Sequence, residues 1–265
     1  MKKDLINILH SAGKLLLGYF QGPVDFEYKD SHSSIVTKAD IEADLLIISM
    51  IRERYPDHRI ISEEHGFIPN SSPYTWVIDP LDGTSNFASG IPWFGVMIAI
   101  FYNNNPVMAG IYLPVQDDLY FAEAGRGSFK NGEPISRLEN IVLKDSMIAF
   151  GVDYSPDTEH FDRSISFYKA LLENCRNIRS TNSLVDFLYV AEGKLGGVIN
   201  TDTRIWDIAA LGLIISETGG MIKSIDEGDI IYNLEEGIID KVFPVMAGPA
   251  SFIGSVEKIL KGINL

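Results

Sequence analysis

Residues 76–87 read WVIDPLDGTSNF, and this stretch decides how the chain is interpreted. Its apolar start predicts a short buried strand that runs into two carboxylates, Asp79 and Asp82. Acids three residues apart at the end of a strand can face one small volume, and Pro80 stiffens the turn between them. A Leu81 carbonyl pointing inward would add a neutral oxygen. Oxygen ligands of this kind are the ones that hard cations such as Mg²⁺ bind.

Gly83 and Thr84 follow the second carboxylate, at a point where a helix can begin. Glycine permits a close approach of backbone to ligand, and free amides at a helix start bind phosphate. Taken alone, the same stretch also fits an Asp-Gly turn with a helix-capping Asp. It does not fit a calcium EF-hand loop, because the alternating acidic spacing of that loop is missing.

Three further stretches place acids beside predicted elements. Glu63 and Glu64 follow a short apolar strand, Asp207 follows Trp206 at a predicted helix start, and residues 37–40 read TKAD at another helix entry. Each has an ordinary interpretation of its own, as a solvated loop or a helix cap. None of the three indicates a functional site when it is considered alone.

The elements around these motifs alternate in a way that predicts layered packing. Helices are predicted up to residue 20, over 39–54, 158–173 and 183–192, and from 206 onward, and strand-like runs over 95–102, 107–113, 119–124 and 128–129. Those runs, separated by turn residues, predict an antiparallel meander. Strands and helices alternate after it, and a last strand-helix pair is predicted from 242 to the end. Helices between sheet segments indicate an α/β fold with helices on the sheet faces.

The length and composition predict one domain, 1–265, made of two packed halves. The first half, about 1–145, holds most of the acidic motifs and the meander, and the second, about 146–265, is the alternating α/β part. A chain of 265 residues with 46% hydrophobic residues can bury a large core. No repeat or linker-like segment divides it.

The charge and cysteine content exclude several partner classes. The chain has 22 Lys and Arg against 36 Asp and Glu, a net charge of -14. Such a surface repels nucleic-acid phosphates and anionic lipid, so we expect neither nucleic-acid nor membrane partners. With Cys175 alone no intrachain disulfide can form, and we expect a cytoplasmic protein. The longest apolar run is too short for a membrane-spanning helix.

Considered together and in order, the acidic motifs resemble the signature of the inositol monophosphatase family. The matching stretches are residues 62–64, 76–87 and 206–210, with 217–220 downstream and with 36–40 and 129–132 as connecting pieces. The resemblance runs from about residue 29 to residue 220. Its central motif, residues 79–87, is highly specific, whereas a Glu-Glu or Trp-Asp pair alone is weak.

The resemblance implies both a fold and a reaction. The fold is an α/β/α/β/α sandwich of the inositol monophosphatase and fructose-1,6-bisphosphatase type. The reaction is the hydrolysis of a small phosphomonoester by direct attack of a metal-activated water, with two or three Mg²⁺ ions per site. Family members are often homodimers and often sensitive to Li⁺, and we expect both properties here.

The resemblance also assigns roles to residues of this chain. The metal ligands carry over to Glu63, Asp79, the Leu81 carbonyl, Asp82 and Asp207; the water-activating group to Thr84, Glu63 and Asp40; the phosphate-binding amides to Gly83 and Thr84; and the substrate contacts to Asp82, Ser183, Asn200, Arg204 and Lys29. Metals clustered about 3.5–4 Å apart lower the pKa of water and neutralise phosphate oxygens.

The chain departs from the family pattern where substrate is selected. A family Glu that binds sugar hydroxyls is replaced by Asn200, which still forms hydrogen bonds but lacks the charge that strengthens them. Arg204 adds a cation that favours a second anionic group on the substrate, although it also fits a surface loop. The segment 179–183 is more polar than usual.

Inositol 1-phosphate or a related polyol or sugar phosphate is the leading substrate from the sequence. Fructose-1,6-bisphosphatase, 3′-phosphonucleotide phosphatase and histidinol-phosphatase activities stay open. A different class also stays open, in which the chain is a non-catalytic module that binds metal or a phosphorylated ligand.

Overall fold

The structure, a computed structural model, describes residues 1–22, 24–29, 34–155 and 157–262. Within these ranges the helices are α1 (Lys2–Phe20), α2 (Lys38–Arg54), α3 (Thr84–Ala88), α4 (Thr158–Asn174), α5 (Leu184–Ala191), α6 (Ile205–Glu217) and α7 (Ala250–Gly262). The first ten strands are β1 (Phe26–Tyr28), β2 (Ile35–Thr37), β3 (Arg59–Ser62), β4 (Gly66–Ile68), β5 (Tyr74–Asp82), β6 (Gly95–Tyr102), β7 (Asn105–Leu113), β8 (Asp118–Glu123), β9 (Gly127–Lys130) and β10 (Glu133–Pro134). The remaining strands are β11 (Met147–Gly151), β12 (Asn177–Arg179), β13 (Val198–Thr203), β14 (Met221–Ser224), β15 (Gly228–Asp229) and β16 (Phe243–Gly248). In the described part of the chain, no helix is both long and apolar enough to cross a membrane.

The larger sheet has eight strands in the order β10-β9-β8-β7-β6-β5-β3-β4. Its strands from β5 to β10 are antiparallel neighbours joined in chain order, which confirms the predicted meander. Asn103 and Asn104 connect β6 to β7, and both have positive φ. A two-residue hairpin loop of this kind favours Asn because its short side chain tolerates the left-handed region. Strand β3 runs parallel to β5, so both strands end at the same edge of the sheet.

The smaller sheet has six strands in the order β12-β11-β13-β16-β14-β15. Strand β11 runs parallel to β12 and β13, whereas β16 is antiparallel to β13 and β14. The register between β13 and β16 shifts between Asn200 and Thr203. An irregularity of this kind bends a strand and redirects its side chains. It lies in the segment that precedes α6.

The helices cover the sheets as five layers. Helices α1 and α2 pack on one face of the larger sheet, α5 and α6 lie between the two sheets, and α4 and α7 belong to the outer layer beyond the smaller sheet. This order confirms the α/β/α/β/α sandwich. Trp76 of β5 packs toward α1 and α2, while its neighbour Val77 packs into the middle layer. Because both faces of β5 and β6 are buried, these strands are apolar along most of their length.

Most predicted helices begin and end within two residues of the observed ones. The helix predicted over 39–54 is α2, and Thr37 caps it by accepting a hydrogen bond from the Ala39 amide. The strand-helix pair predicted from 242 onward is β16 and α7, and residues 263–265 lie outside the described ones. The larger sheet ends at Pro134 and the smaller begins at Met147. That the chain forms one domain of two halves stays a prediction.

Candidate active site

The end of β5 supplies two carboxylates, and a backbone amide fixes each of them. Asp79 is 1% exposed, and its Oδ1 accepts a hydrogen bond of 3.0 Å from the Leu81 amide. Asp82 Oδ1 accepts a hydrogen bond of 2.6 Å from the amide of Leu184, the first residue of α5. The register of β5 against β6 shifts between the two acids. The amide contacts hold both side chains in place beside the middle layer.

The third carboxylate comes from the first turn of α6. Asp207 Oδ2 accepts a hydrogen bond of 2.5 Å from the Arg204 amide, so the side chain satisfies a free donor at the helix start. Carboxylate oxygens of Asp79, Asp82 and Asp207 all lie within 4.8 Å of one another. The structure therefore brings together three of the five predicted metal ligands, from stretches that are more than a hundred residues apart.

Burial and mutual repulsion disfavour the charged forms of these three acids. Burial raises the pKa of Asp79 well above its ordinary value, and the charges of Glu63, Asp82 and Asp207 raise it further. Burial is also the main cause that raises the pKa of Asp82 and of Asp207. A hard divalent cation relieves such repulsion and prefers carboxylate oxygens. The residues present therefore fit Mg²⁺.

Glu63 lies beside this group and is engaged by a lysine. Its amide donates to the Ile78 carbonyl at 3.2 Å, which places it next to β5. Lys29 Nζ lies 2.9 Å from Glu63 Oε1 and 2.5 Å from Glu64 Oε1. Burial alone would lower the pKa of Lys29, yet the two carboxylates raise it above its ordinary value. Glu63 is thus near the three acids but is paired with an ammonium group.

Thr84 and Asp40 form a hydrogen-bonded pair next to the acids. Thr84 Oγ1 lies 3.0 Å from Asp40 Oδ1 and 3.0 Å from the Leu81 carbonyl oxygen. Its single hydrogen serves one of them at a time, so its lone pairs stay able to accept from water. Asp40 is 1% exposed, and the amide and hydroxyl of Thr37 donate to its other oxygen. Asp40 is therefore held rigidly behind Thr84.

Gly83 connects the second acid to α3 in a conformation that favours glycine. Its φ is 83° and its ψ is 34°, in the left-handed region. A Cβ at this position would lie 2.5 Å from the carbonyl oxygen of Trp93. The predicted phosphate-binding amides of Gly83 and Thr84 thus follow Asp82 directly in a tightly packed turn.

The comparisons with known proteins agree with this geometry. A family model described as the inositol monophosphatase family matches residues 3–249. The chain belongs to the inositol monophosphatase family.

Two curated relatives and one solved structure illustrate the range of names within the family. Nus factor SuhB of Haemophilus influenzae is 34% identical over 196 residues, which is 73% of this chain and 73% of that protein. Inositol-1-monophosphatase of Mesorhizobium japonicum is 34% identical over 194 residues, again 73% of each. The crystal structure of extragenic suppressor protein suhB from Bartonella henselae superposes with a TM-score of 0.87 at 28% identity, covering 99% of both chains.

The pocket beside the acids in this inositol monophosphatase family member contains further predicted substrate contacts. Asp82 and Asp207 line it together with Ser183 and Asn200. Ser183 is the N-cap of α5, where its hydroxyl accepts from the Val185 amide at 3.4 Å. Four side chains to which the family resemblance assigns roles therefore lie around one cavity. Their contacts with substrate stay a prediction.

Arg204 is not among the residues that line this pocket, although its amide binds Asp207. Its guanidinium donates to the Asp240 carbonyl instead. The second anionic group that we expected Arg204 to attract therefore finds no support from its position. The cation is directed to the segment that precedes β16.

Sequence reasoning missed several residues of this pocket, among them three with carboxylate or amide side chains. Asp153, Asn182 and Asp202 line the same cavity. Asp153 follows the end of β11, Asn182 precedes α5 with a φ of 50°, and Asp202 lies in the irregular part of β13. The unusually polar run 179–183 was one signal, but the other two residues carry no motif. Only the convergence of three chain segments brings them together.

Proposed function

We propose that this chain is a Mg²⁺-dependent phosphomonoesterase that acts on a small phosphorylated polyol or sugar, with inositol 1-phosphate as the first candidate. The observation that carries the proposal is the convergence of Asp79, Asp82 and Asp207 next to the Thr84–Asp40 pair. The relative from Mesorhizobium japonicum that is named as an inositol-1-monophosphatase supports the substrate class.

In this proposal, Asp79, Asp82, Asp207, Glu63 and the Leu81 carbonyl hold Mg²⁺. Bound Mg²⁺ would neutralise phosphate oxygens and lower the pKa of the attacking water. The protein's own contribution is to fix these ligands through backbone amides, because preorganised groups cost no rearrangement during the reaction.

Thr84 and Asp40 orient the water that attacks phosphorus. The Thr84 hydroxyl donates to Asp40 and accepts from the water, so the water's lone pair points at the phosphate. The amides of Gly83 and Thr84 bind phosphate oxygens. The P–O bond to the alcohol breaks as the new P–O bond to the water oxygen forms; the water gives up one proton, and the leaving alcohol oxygen takes up one. No covalent bond between protein and phosphate is required.

The test is phosphate release by the purified protein with and without Mg²⁺. The panel contains inositol 1-phosphate, fructose 1,6-bisphosphate, 3′-phosphoadenosine 5′-phosphate, histidinol phosphate and glycerol 2-phosphate. We expect Mg²⁺-dependent release that Asp82→Asn reduces by at least about a hundredfold, the effect of removing one electrostatic contact to the reacting group. Asp145→Asn changes an exposed acid outside the site and serves as the matched control. Full activity of Asp82→Asn would overturn the proposal.

A second candidate is a non-catalytic binding role. The relative from Haemophilus influenzae is named as a factor, not as an enzyme, which favours this candidate. It predicts that Mg²⁺ and inositol 1-phosphate raise the melting temperature while no phosphate is released, because a ligand that binds only the native state stabilises it. Release of phosphate from any substrate in the panel would contradict it as the sole function.

Three further properties are proposed, the first two from membership of the family and the third from the single cysteine of the chain. They are a homodimeric assembly, inhibition by Li⁺ and a cytoplasmic location. Light scattering on the purified protein tests the first, and phosphate release in millimolar LiCl tests the second. Fractionation of cells that produce the protein tests the third.

A further inference from the structure

One wall of the pocket contains Asp153, Asn182, Asn200 and Asp202, and Gly151 lies next to its two amide side chains. This glycine is the last residue of β11 and is paired with Asn200 of β13. A Cβ at Gly151 would lie 2.7 Å from Asn200 Nδ2 and 2.8 Å from Asn182 Oδ1. The missing side chain therefore makes room for two amide groups that converge on one spot. Such convergence of polar groups in a cavity is typical of a site that orients a ligand.

A carboxylate stands next to this amide pair. Asp153 Oδ1 accepts a hydrogen bond of 3.0 Å from Asn182 Nδ2, and the side chain is partly buried. Burial raises the pKa of Asp153, and the nearby Asp202 carboxylate raises it further. Among the described residues, no lysine or arginine pairs with Asp153, and its second oxygen accepts no hydrogen bond from them. A partly buried carboxylate without a cation is stabilised by a ligand that donates hydrogen bonds.

Two neighbouring charged groups, Asp202 and Arg204, already have partners of their own. Asp202 lies 3.1 Å from His160 Nε2, and its amide donates to Asn200 Oδ1 at 3.1 Å. The guanidinium of Arg204 is directed to the Asp240 carbonyl. The wall thus presents the Asp153 carboxylate, the Asn182 amide oxygen and the Asn200 amide nitrogen, and no described lysine or arginine lines the pocket. A second phosphate group there would face the charge of Asp153 directly.

We infer that Asp153 is the specificity-determining residue of the leaving-group side of the pocket. It accepts hydrogen bonds from hydroxyl or ammonium groups of the substrate's alcohol and disfavours a second phosphate. The inference rests on the proposed phosphatase function and identifies its substrate class. Asn200 lacks the charge that the family's Glu brings to this wall, and Asp153 supplies a carboxylate on the same wall.

The experiment compares KM and kcat of the wild type, Asp153→Asn and the exposed control Asp162→Asn, with Mg²⁺ present. The substrates are inositol 1-phosphate, histidinol phosphate, fructose 1,6-bisphosphate and phenyl phosphate, whose alcohol has no donor to place against Asp153. For Asp153→Asn we expect the KM for inositol 1-phosphate or for histidinol phosphate, whose alcohols carry hydrogen-bond donors, to rise about tenfold with little change in kcat. This increase is the size expected for the loss of one hydrogen bond to a charged group. We expect the KM for phenyl phosphate to stay unchanged and that for fructose 1,6-bisphosphate to fall.

Each outcome decides the inference. An unchanged KM for both donor-bearing substrates overturns it, and so does an equal increase for phenyl phosphate, which would indicate a purely structural role. A better wild-type KM for inositol 1-phosphate assigns the donor as hydroxyl, and a better one for histidinol phosphate assigns it as ammonium; both agree with the inference.

Calorimetry separates failure of this inference from failure of the proposed function. If the wild type releases no phosphate from any substrate, the proposed function fails, and the binding of inositol 1-phosphate and histidinol phosphate in the presence of Mg²⁺ is measured directly. About tenfold weaker binding of either ligand to Asp153→Asn then supports the inference. Equal affinity, or no binding to the wild type, overturns it.

Discussion

Gly83 is a residue whose backbone conformation directly shapes the candidate active site. Alanine at this position would have an unfavourable φ of 83° and a Cβ 2.5 Å from the Trp93 carbonyl oxygen. We expect Gly83→Ala to lower the free energy of unfolding by about 1–3 kcal/mol and to reduce phosphate release, because the amides at the start of α3 must move. Denaturant unfolding and activity measure the two effects.

Gly90 provides the matched control for this prediction. It also has a positive φ, 72°, but a Cβ added there would meet no described atom within 4 Å. Gly90→Ala should therefore lose only the backbone contribution, about 1 kcal/mol, and keep its activity. Equal losses of stability and activity in the two variants would show that close packing against Trp93 does not matter.

At this scale, the sequence predicted the clustered acids but not Asp153. Asp79 and Asp82 stand at the end of an apolar strand, and their spacing already indicated a shared volume. Asp207 needed the family resemblance, since an acid in a first helical turn is usually a cap, and here it is a cap as well. Asp153 was missed because nothing in its local sequence indicates that Asn182 lies 3.0 Å away.

At the scale of elements, the hairpin of β1 and β2 is tied to the site through Lys29. This lysine follows β1 directly and contacts both Glu63 and Glu64 after β3. Its ammonium competes with a cation for Glu63 and repels that cation as well. We expect Lys29→Gln to tighten Mg²⁺ binding, by up to about fivefold, since surface-accessible ion pairs contribute up to about 1 kcal/mol.

The same substitution should lower stability in the absence of Mg²⁺. Glu63 and Glu64 would lose their cation and repel each other. Calorimetric titration with Mg²⁺ and thermal unfolding without it give the two readouts. The control is Lys38→Gln, which changes an exposed lysine that forms an ion pair with Glu42 on α2. Weaker Mg²⁺ binding in Lys29→Gln would instead mean that Lys29 holds Glu63 in its ligating position.

Buried strands were easier to predict from the sequence than exposed ones. Strands β5 and β6 are apolar on both faces, and their runs were recognised from the sequence. Strands β1 and β2 have three residues each, and all three residues of β1 are exposed. Such short strands carry no hydrophobic period, so sequence reasoning did not detect the hairpin.

At the scale of the whole molecule, the site connects the larger sheet to the helical layer between the sheets. Asp79 and Asp82 belong to the larger sheet, whereas Asp207 belongs to α6 in the middle layer. A cation held by all three would therefore stabilise the entire fold. We expect saturating Mg²⁺ to raise the free energy of unfolding by about 2.7 kcal/mol at a hundredfold excess over its Kd.

Asp207→Asn tests whether that stabilisation passes through the shared site. The variant should lose most of the Mg²⁺-induced increase in unfolding free energy, whereas Asp145→Asn should keep it. Denaturant unfolding with and without Mg²⁺ provides the measurement. The same increase in Asp207→Asn would place the stabilising ion elsewhere on this acidic protein.

The position of the middle layer along the chain has a consequence for synthesis on the ribosome. All strands of the larger sheet are complete at Pro134, but the face that carries Met97 and Phe101 is covered by α5 and α6, which end only at Glu217. About 80 residues must still emerge, which takes roughly 4–16 s at about 5–20 residues per second. During that interval the nascent chain carries an open apolar sheet face, so we expect this to be the stage at which it depends most on chaperone binding to avoid aggregation.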